Sequence, residues 1–519
     1  CNHFRKTMLN QTIKNKISNL WDMFWAAGTA NPLTALEQIS YLLFMRRAED
    51  VGLVEEDIHK WSFYTKAKDI DLPTYMKGVF EFLTTQNNAH EPFTKAMSGA
   101  KFEITKQSLL EAAVAIIDEI YAEAEKERKE GQYFQDTLGD FYELILSQTG
   151  EAGKNGQFRT PRHLIHFMCE LLKPTIEDKI CDVTCGTSGF LVGAYQYIIT
   201  QNSSEDEGQI DSDGFIVKTS ANDIKPDSQE EKKLTTGTFY GYDIDTTMIR
   251  LGMMNLMMHN IKEPHIKHID SLSARFDEEE KEVQYTKILA NPPFTGRIDS
   301  LDTSLKLNRV YPPKYDKDGK RLVQNIQSEL LFLERIIQLL KIDGKAAVVV
   351  PEGVLFGGNN AYKNLREVLL KDCIVDAIIS LPSGAFKPYT SVKTSVLVFT
   401  KKGFKRKSFA TNKVWFYELE TDGYTLDDNR KKLRDNPLPI AVSFFDNKEK
   451  DRNKKERRKH FYVELEEIQK NDFDLSFNRY KDFDYEEQQY EAPQDILKSI
   501  LTLEDDIKND LLELKDLIG

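Results

Sequence analysis

The stretch Lys179-Ile180-Cys181-Asp182-Val183-Thr184-Cys185-Gly186-Thr187-Ser188-Gly189-Phe190-Leu191 decides the fold. It reads as a short apolar strand, a glycine loop and the opening of a helix. Gly186 and Gly189 allow a tight turn and a close approach of backbone to ligand, with the next helix opening over it. A full GxGxxG is missing, as is the Lys-Ser/Thr pair of a P-loop, so neither a dinucleotide nor a nucleoside triphosphate is the natural ligand. A second strand, Thr238-Phe239-Tyr240-Gly241-Tyr242-Asp243, ends on an acid able to accept bonds from two ribose hydroxyls. Strand, loop, helix and acid suit an adenosine without a pyrophosphate; a purely structural glycine turn is the alternative.

Roughly a hundred residues downstream, the apolar run Ile288-Leu289-Ala290 stops at Asn291-Pro292-Pro293-Phe294. Such a strand makes a stiff turn at the carboxyl end of a sheet, where open α/β folds bind ligands. Each proline fixes φ near about −65° and restricts the residue before it, so Asn291 and the Pro292 carbonyl share one geometry. Both present acceptors, and together they can grip an exocyclic amino group. Phe294 offers a flat face for the ring carrying that amine. The set suits methyl transfer to the amino group of a base or an amide. An ordinary Pro-rich turn closing a buried strand is the alternative.

Taken in this order, the residues closely resemble the modification (methyltransferase) subunit of type I restriction-modification systems, over residues 10–482 and most densely over 139–400. The resemblance implies a Rossmann-like class I S-adenosylmethionine-dependent methyltransferase domain, a doubly wound α/β sheet, acting on the N6 amino group of adenine in a specific DNA sequence. It assigns Gln157, Phe158, Thr160 and Pro161 to the methionine end of the cofactor; Arg159 stands where an aromatic residue is usual. Asp182, Thr184, Gly186, Thr187, Ser188 and Gly189 match the cofactor loop, with Val183 and Ser188 in place of the commonest Pro and Gly. Asp243 takes the ribose position, more often Glu, and is followed by the helix holding Met253-Met254-Asn255-Leu256. Asp270 aligns with the acid near the cofactor's adenine, and Asn291, Pro292, Pro293 and Phe294 with the catalytic turn. The segment Ala346-Ala347-Val348-Val349-Val350-Pro351-Glu352-Gly353-Val354-Leu355-Phe356 is similarly characteristic, as is Leu381-Pro382-Ser383-Gly384-Ala385-Phe386.

Composition narrows the field. A chain of 519 residues holds several domains and ample core. No run of 18 apolar residues and no signal-peptide pattern occur, so no membrane span and a cytoplasmic setting are expected, with Met8 a candidate native start. Cys1, Cys169, Cys181, Cys185 and Cys373 are scattered, and no second Cys or His pair completes a zinc set. Buried free thiols and no metal are the expectation. A net charge of −13 is unusual for a stand-alone DNA binder, because Lys and Arg contacts to phosphate drive non-specific affinity. Local DNA contacts, or a partner that carries them, follow. The basic tracts 401–407 and 448–460 read as solvated loops, with phosphate contact the alternative.

The organisation is a helical region over 8–132, a catalytic region over 133–482 and a terminal helix over 483–519. Trp21, Phe24 and Trp25 read as core of the first. A polar insertion over 201–237 reads as exposed. The polar loop over 295–327, directly after the catalytic turn, reads as a cover for an extruded base, as a contact to the displaced strand, or as a disordered excursion. Near the C-terminus, Ile496, Ile500, Leu503, Ile507, Leu511, Leu514 and Ile518 recur at three- and four-residue steps behind Pro493, as in a coiled-coil seam. Periodicity alone leaves packing onto the parent domain open. The resemblance implies docking on a DNA-sequence specificity subunit, two methyltransferase chains to each, and association with a restriction subunit. Little chain after Thr400 remains for a base-reading domain. The rival readings are a self-sufficient methyltransferase of cytosine N4 or of a protein glutamine amide, and a catalytically silent scaffold of a phage-defence complex.

Overall fold

A computed structural model provides the fold. It describes residues 11–518 apart from 27–30, 51, 53, 55, 68–69, 87–90, 130–141, 143, 147–159, 204–208, 211–214, 218–222, 226, 404–407, 453 and 483–492. Contacts divide the chain into one compact unit running to Tyr480 and a second from Lys481.

The first unit is organised by a nine-stranded sheet. Its strands are β1 (Ile180–Asp182), β2 (Phe239–Asp243), β3 (His265–His268), β4 (Tyr285–Ala290), β5 (Leu340–Pro351), β6 (Cys373–Ser380), β7 (Thr394–Lys401), β8 (Lys413–Glu418) and β9 (His460–Glu464). Their spatial order is β9-β8-β6-β7-β5-β4-β1-β2-β3. From β3 to β5 every pair is parallel, whereas β7 runs antiparallel between β5 and β6. The chain therefore winds outward from β1 through β2 to β3, then returns to β4 on the other flank. That reversal at β1 opens a crevice outside the carboxyl ends of β1 and β4. The doubly wound α/β class implied by the resemblance is what folds. Ala346 to Val350 of β5 and Val396 to Phe399 of β7 are all within 2% of complete burial, as central strands covered on both faces must be.

Helices flank this sheet. The N-terminal ones are α1 (Gln11–Ala26), α2 (Pro32–Asp50), α3 (Leu72–Glu81) and α4 (Gln107–Lys129). Those near the site are α5 (Arg162–Leu172), α6 (Gly189–Gln201), α7 (Thr246–Met258), α8 (Ser328–Leu339) and α9 (Asn360–Asp372). Helix α7 is buried on most of its circumference because the glycine loop lies on one side and the N-terminal helices on the other. Arg250 of α7 pairs with Glu37 of α2 at 3.1 Å, and Tyr142 bonds to Ser40 at 2.9 Å and to the Leu251 carbonyl at 3.4 Å. On α1 Phe24 is buried as expected, but Trp25 is 51% exposed. One residue of helix rotates a side chain by about 100°, which carries Trp25 off the packed face.

Both polar segments are more structured than their composition suggested. The insertion buries Phe215, Ile224 and Leu234 and contains a helix over Gln229–Thr236. The segment 295–327 pairs Arg297–Asp299 with Asn325–Gln327 and buries Leu307, Val310 and Ile326. A disordered excursion is thus ruled out for it. The basic tracts also differ from solvated loops. Lys401 donates to the Leu340 and Gln338 carbonyls at 2.7 and 3.1 Å, and burial lowers its pKa. Lys402 pairs with Asp343, and Arg457 makes a two-pronged bond to Glu467 at 2.6 and 2.7 Å. Residues 404–407 lie outside the described residues.

The second unit contains α10 (Pro493–Ile518). Along it Ile496, Leu497, Ile500, Leu501, Leu503, Ile507, Leu511, Leu512 and Leu514 are all exposed. No helix among the described residues is long and apolar enough to cross a membrane. Cys169, Cys181, Cys185 and Cys373 are buried and unpaired; Cys1 lies outside the described residues.

Candidate active site

The carboxyl ends of β1 to β4 bring most of the expected residues to one edge. Asp182 ends β1, is 2% exposed, and accepts a bond from the Thr184 N–H at 3.0 Å. The chain then turns through Gly186 (φ 50°) and Ser188 (φ 65°), where α6 begins. A left-handed backbone at Ser188 explains physically why glycine is the commoner residue there. Across the loop, the Gly186 N–H donates to Asp243 Oδ2 and the Asp245 N–H to Asp243 Oδ1, both at 2.9 Å. Asp270 follows β3 and accepts from the Leu272 N–H at 2.8 Å.

Helix α7 braces the loop from below. A Cβ on Gly252 would come within 2.6 Å of Ser188 Oγ and 2.9 Å of the Gly186 carbonyl, so only glycine allows this approach. Asn255 donates through Nδ2 to the Thr187 carbonyl at 2.9 Å. Gly241 is needed for the same reason, since its Cβ would meet Ile266 at 2.7 Å and Cys185 at 2.9 Å. Gly252 was not singled out from sequence, although a glycine inside a helix is a signal of close packing. Ile244 was also missed: it is 70% exposed directly after Asp243, an apolar face beside that carboxylate.

The crevice is acidic. Burial, reinforced by the charge of Asp243 and opposed by the Thr184 N–H, pushes the Asp182 pKa up to about 8. Burial raises the Asp243 pKa as well. Among the described residues neither carboxylate has a cation partner. Two desolvated acids and an apolar face fit a ligand that brings hydroxyls and positive charge.

On the other flank Asn291 continues from β4. Its Nδ2 donates to Thr160 Oγ1 at 3.0 Å, whereas its Oδ1 is buried without a hydrogen-bond partner. Thr160 and Pro161 lead into α5, whose first turn is pinned by a cluster that sequence reading missed. His163 Nε2 lies 2.8 Å from Asp422 Oδ2, Arg430 also bonds Asp422, and Tyr424 stacks on His163 at 4.4 Å. Burial alone would raise the Asp422 pKa, but the bonds and charges of His163 and Arg430 outweigh it and leave it lowered. Phe294 is 7% exposed and meets Phe386 edge-on at 5.6 Å, so its ring is a wall of the site rather than an open platform. Pro292 is buried and Pro293 exposed. Gln157 and Phe158 lie outside the described residues.

Comparison with known proteins adds a family to this geometry. The model of the N-6 DNA methylase family matches residues 133–489, and that of the HsdM N-terminal domain matches 13–137. The type I restriction enzyme EcoEI methylase subunit of Escherichia coli is 26% identical across 98% of both chains. The EcoKI methylase subunit of Escherichia coli (strain K12) is 30% identical over 56% of this chain and 49% of its own. A chain from a study of type I R-M complex assembly covers 99% of each at TM-score 0.62 and 20% identity. The type I restriction-modification methyltransferase subunit from Streptococcus thermophilus covers 92% of this chain and all of its own at TM-score 0.59 and 19% identity, a likeness of fold. The chain belongs to the N-6 DNA methylase family and is an adenine-specific DNA methyltransferase of the type I modification-subunit kind.

Proposed function

We propose that Asn291 Oδ1 and the Pro292 carbonyl accept the two hydrogens of an adenine N6 amine in DNA, beside a crevice that holds S-adenosylmethionine. The observation that carries this reading is the buried, unpartnered Asn291 Oδ1. An acceptor left without a donor costs about 1–3 kcal/mol, and an exocyclic amine relieves that cost. Thr160 holds the other end of the same amide, which decides which atom faces the site.

The amine of adenine is a poor nucleophile because its lone pair is delocalised into the ring. Two fixed acceptors favour a pyramidal nitrogen and aim the lone pair, and such positioning supplies at best about 7–11 kcal/mol. When bound, S-adenosylmethionine supplies an electrophilic methyl on a sulfonium. Asp243, accepting from the Gly186 and Asp245 amides, is placed to take ribose hydroxyls, Ile244 to cover a purine face, and Asp182 to face the cationic end. By resemblance, Gln157, Phe158, Thr160 and Pro161 are assigned to the methionine end of the cofactor and Asp270 to its adenine. The target atom is inaccessible in a duplex, so the base must be extruded, at a cost of a few kcal/mol. Cytosine N4 and a glutamine amide present the same amine chemistry, but the family match favours adenine.

Asn291→Ala should lower methyl transfer by about 10²–10³-fold or more, the scale for losing one fixed transition-state hydrogen bond, with cofactor affinity nearly intact. Near-normal turnover of radiolabelled methyl into DNA by this variant would end the assignment. The exposed apolar side of α10 supports docking to a specificity subunit. Placing Asp at both Ile500 and Leu511 should abolish co-purification with that subunit and leave cofactor binding in place; retained co-purification would contradict the docking role.

A further inference from the structure

Beyond the catalytic turn, a cleft of about 840 Å³ lies between the segment 297–327 and the start of α9. Both walls stand at the carboxyl edge of the sheet. The strand Arg297–Asp299 begins three residues after Phe294, and α9 follows β5, which runs parallel to β4. The cleft thus lies on the β5 flank of Asn291, and the acidic crevice of β1 to β3 on the other. A base seated at Asn291 has one on each side.

The chemistry of the two flanks is opposite. The cleft presents the exposed cations Arg297 and Lys314, the exposed carboxamides of Asn325, Asn359 and Asn360 and the ring of Tyr311, and none of its lining residues is acidic. This occurs in a chain with 83 acidic against 70 basic residues. Glu329 is buried nearby and does not line the cleft; Tyr362 donates to it at 3.5 Å, and desolvation raises its pKa. The walls are fixed in place. Glu334 of α8 accepts from the Arg309 and Val310 N–H groups at 3.0 and 3.1 Å, Arg309 pairs with Asp372, and Asn364 donates to the Val310 carbonyl at 3.3 Å. The basic tract near Lys401 cannot substitute, since β7 runs antiparallel to β5 and ends at the opposite edge of the sheet.

We propose that this cleft seats the sugar-phosphate backbone of the DNA strand carrying the target adenine, with Arg297 and Lys314 contacting phosphates and the carboxamides the sugar and base edges. Cations and amide donors are the groups that hold nucleic-acid backbone. Arg297 follows Asn291 by six residues, a reach of at most about 20 Å, or some six nucleotide steps at about 3.4 Å each. The phosphate contacted by Arg297 therefore lies within about six nucleotide steps of the extruded base. This rests on the methylation reading of Asn291.

The test uses the complex with its specificity subunit and a short labelled duplex carrying the mapped methylation site. Arg297→Ala with Lys314→Ala should make the slope of log affinity against log salt shallower by about 1 per lost phosphate contact, with cofactor affinity unchanged. An unchanged slope with cofactor affinity retained overturns the proposal. If the variant fails to fold, single methylphosphonates scanned along the duplex with wild-type complex decide instead. Weakening confined to target-strand phosphates within a few steps of the adenine supports the cleft, and weakening elsewhere, or none, overturns it. On the same duplex, an Asn291→Ala complex that still methylates at close to the wild-type rate would instead sink the reading of Asn291.

Discussion

The two flanks of the catalytic edge are built differently. The flank proposed for the cofactor comes from elements close in the chain and is built of backbone amides, glycines and carboxylates: Gly186, Gly241, Asp182 and Asp243. The target side is assembled from distant segments. Thr160 meets Asn291 across 131 residues of sequence, and Phe386 meets Phe294 across the sheet. A local motif thus specifies the first, while the second depends on tertiary packing. Substitutions on the two sides should accordingly separate binding from transfer.

The loss expected for Asn291→Ala is the largest and falls on transfer alone. Next is Thr160→Val, which removes the acceptor for Asn291 Nδ2 and frees the amide to turn. A lost bond of about 1–1.5 kcal/mol corresponds to roughly tenfold in kcat, and Thr160→Ser should restore it. If Thr160 instead serves only the cofactor, KM for S-adenosylmethionine rises and kcat does not move.

The acids sharpen the same comparison through pH. The Asp182 pKa is raised to about 8 in the folded protein from 3.8, so between those values the folded state holds a proton that the unfolded state lacks. Stability of the cofactor-free protein therefore falls as pH rises through that window. Melting curves across it should show this decline, and Asp182→Asn should flatten it. A decline of equal size in the variant would remove Asp182 as its source. Because a cationic ligand favours the carboxylate, affinity for S-adenosylmethionine should rise with pH and level off above about 8.

The smallest effect belongs to the loop backbone. Ser188→Gly relieves a left-handed residue and should stabilise the protein by roughly 1 kcal/mol in chemical denaturation. A destabilised variant would show that the Ser188 side chain contributes more than its backbone costs.

This contrast also governs what could be read from the chain. The strand–loop–helix at 180–191, the acid at 243 and the turn at 291 are local patterns, and all lie at the edge where they were expected. The pinning of α5 by His163, Asp422, Tyr424 and Arg430 joins residues far apart in sequence, with no periodicity to announce it. Polar composition could not decide for 295–327, because three buried apolar side chains, Leu307, Val310 and Ile326, suffice to anchor a hydrophilic segment. In the insertion a usable signal was present: Ser228 caps its helix by accepting from the Glu231 N–H, a Ser-x-x-Glu pattern. Lys401 looked like surface charge, yet its ammonium binds carbonyls where α8 passes into β5.

The most direct test is the structure of the complex with DNA and a cofactor analogue that cannot donate methyl. Adenine N6 should lie within about 2.7–3.2 Å of Asn291 Oδ1, with the Thr160 bond to Nδ2 retained. An extruded adenine whose amine bonds elsewhere, leaving Asn291 Oδ1 unpartnered, would contradict the account.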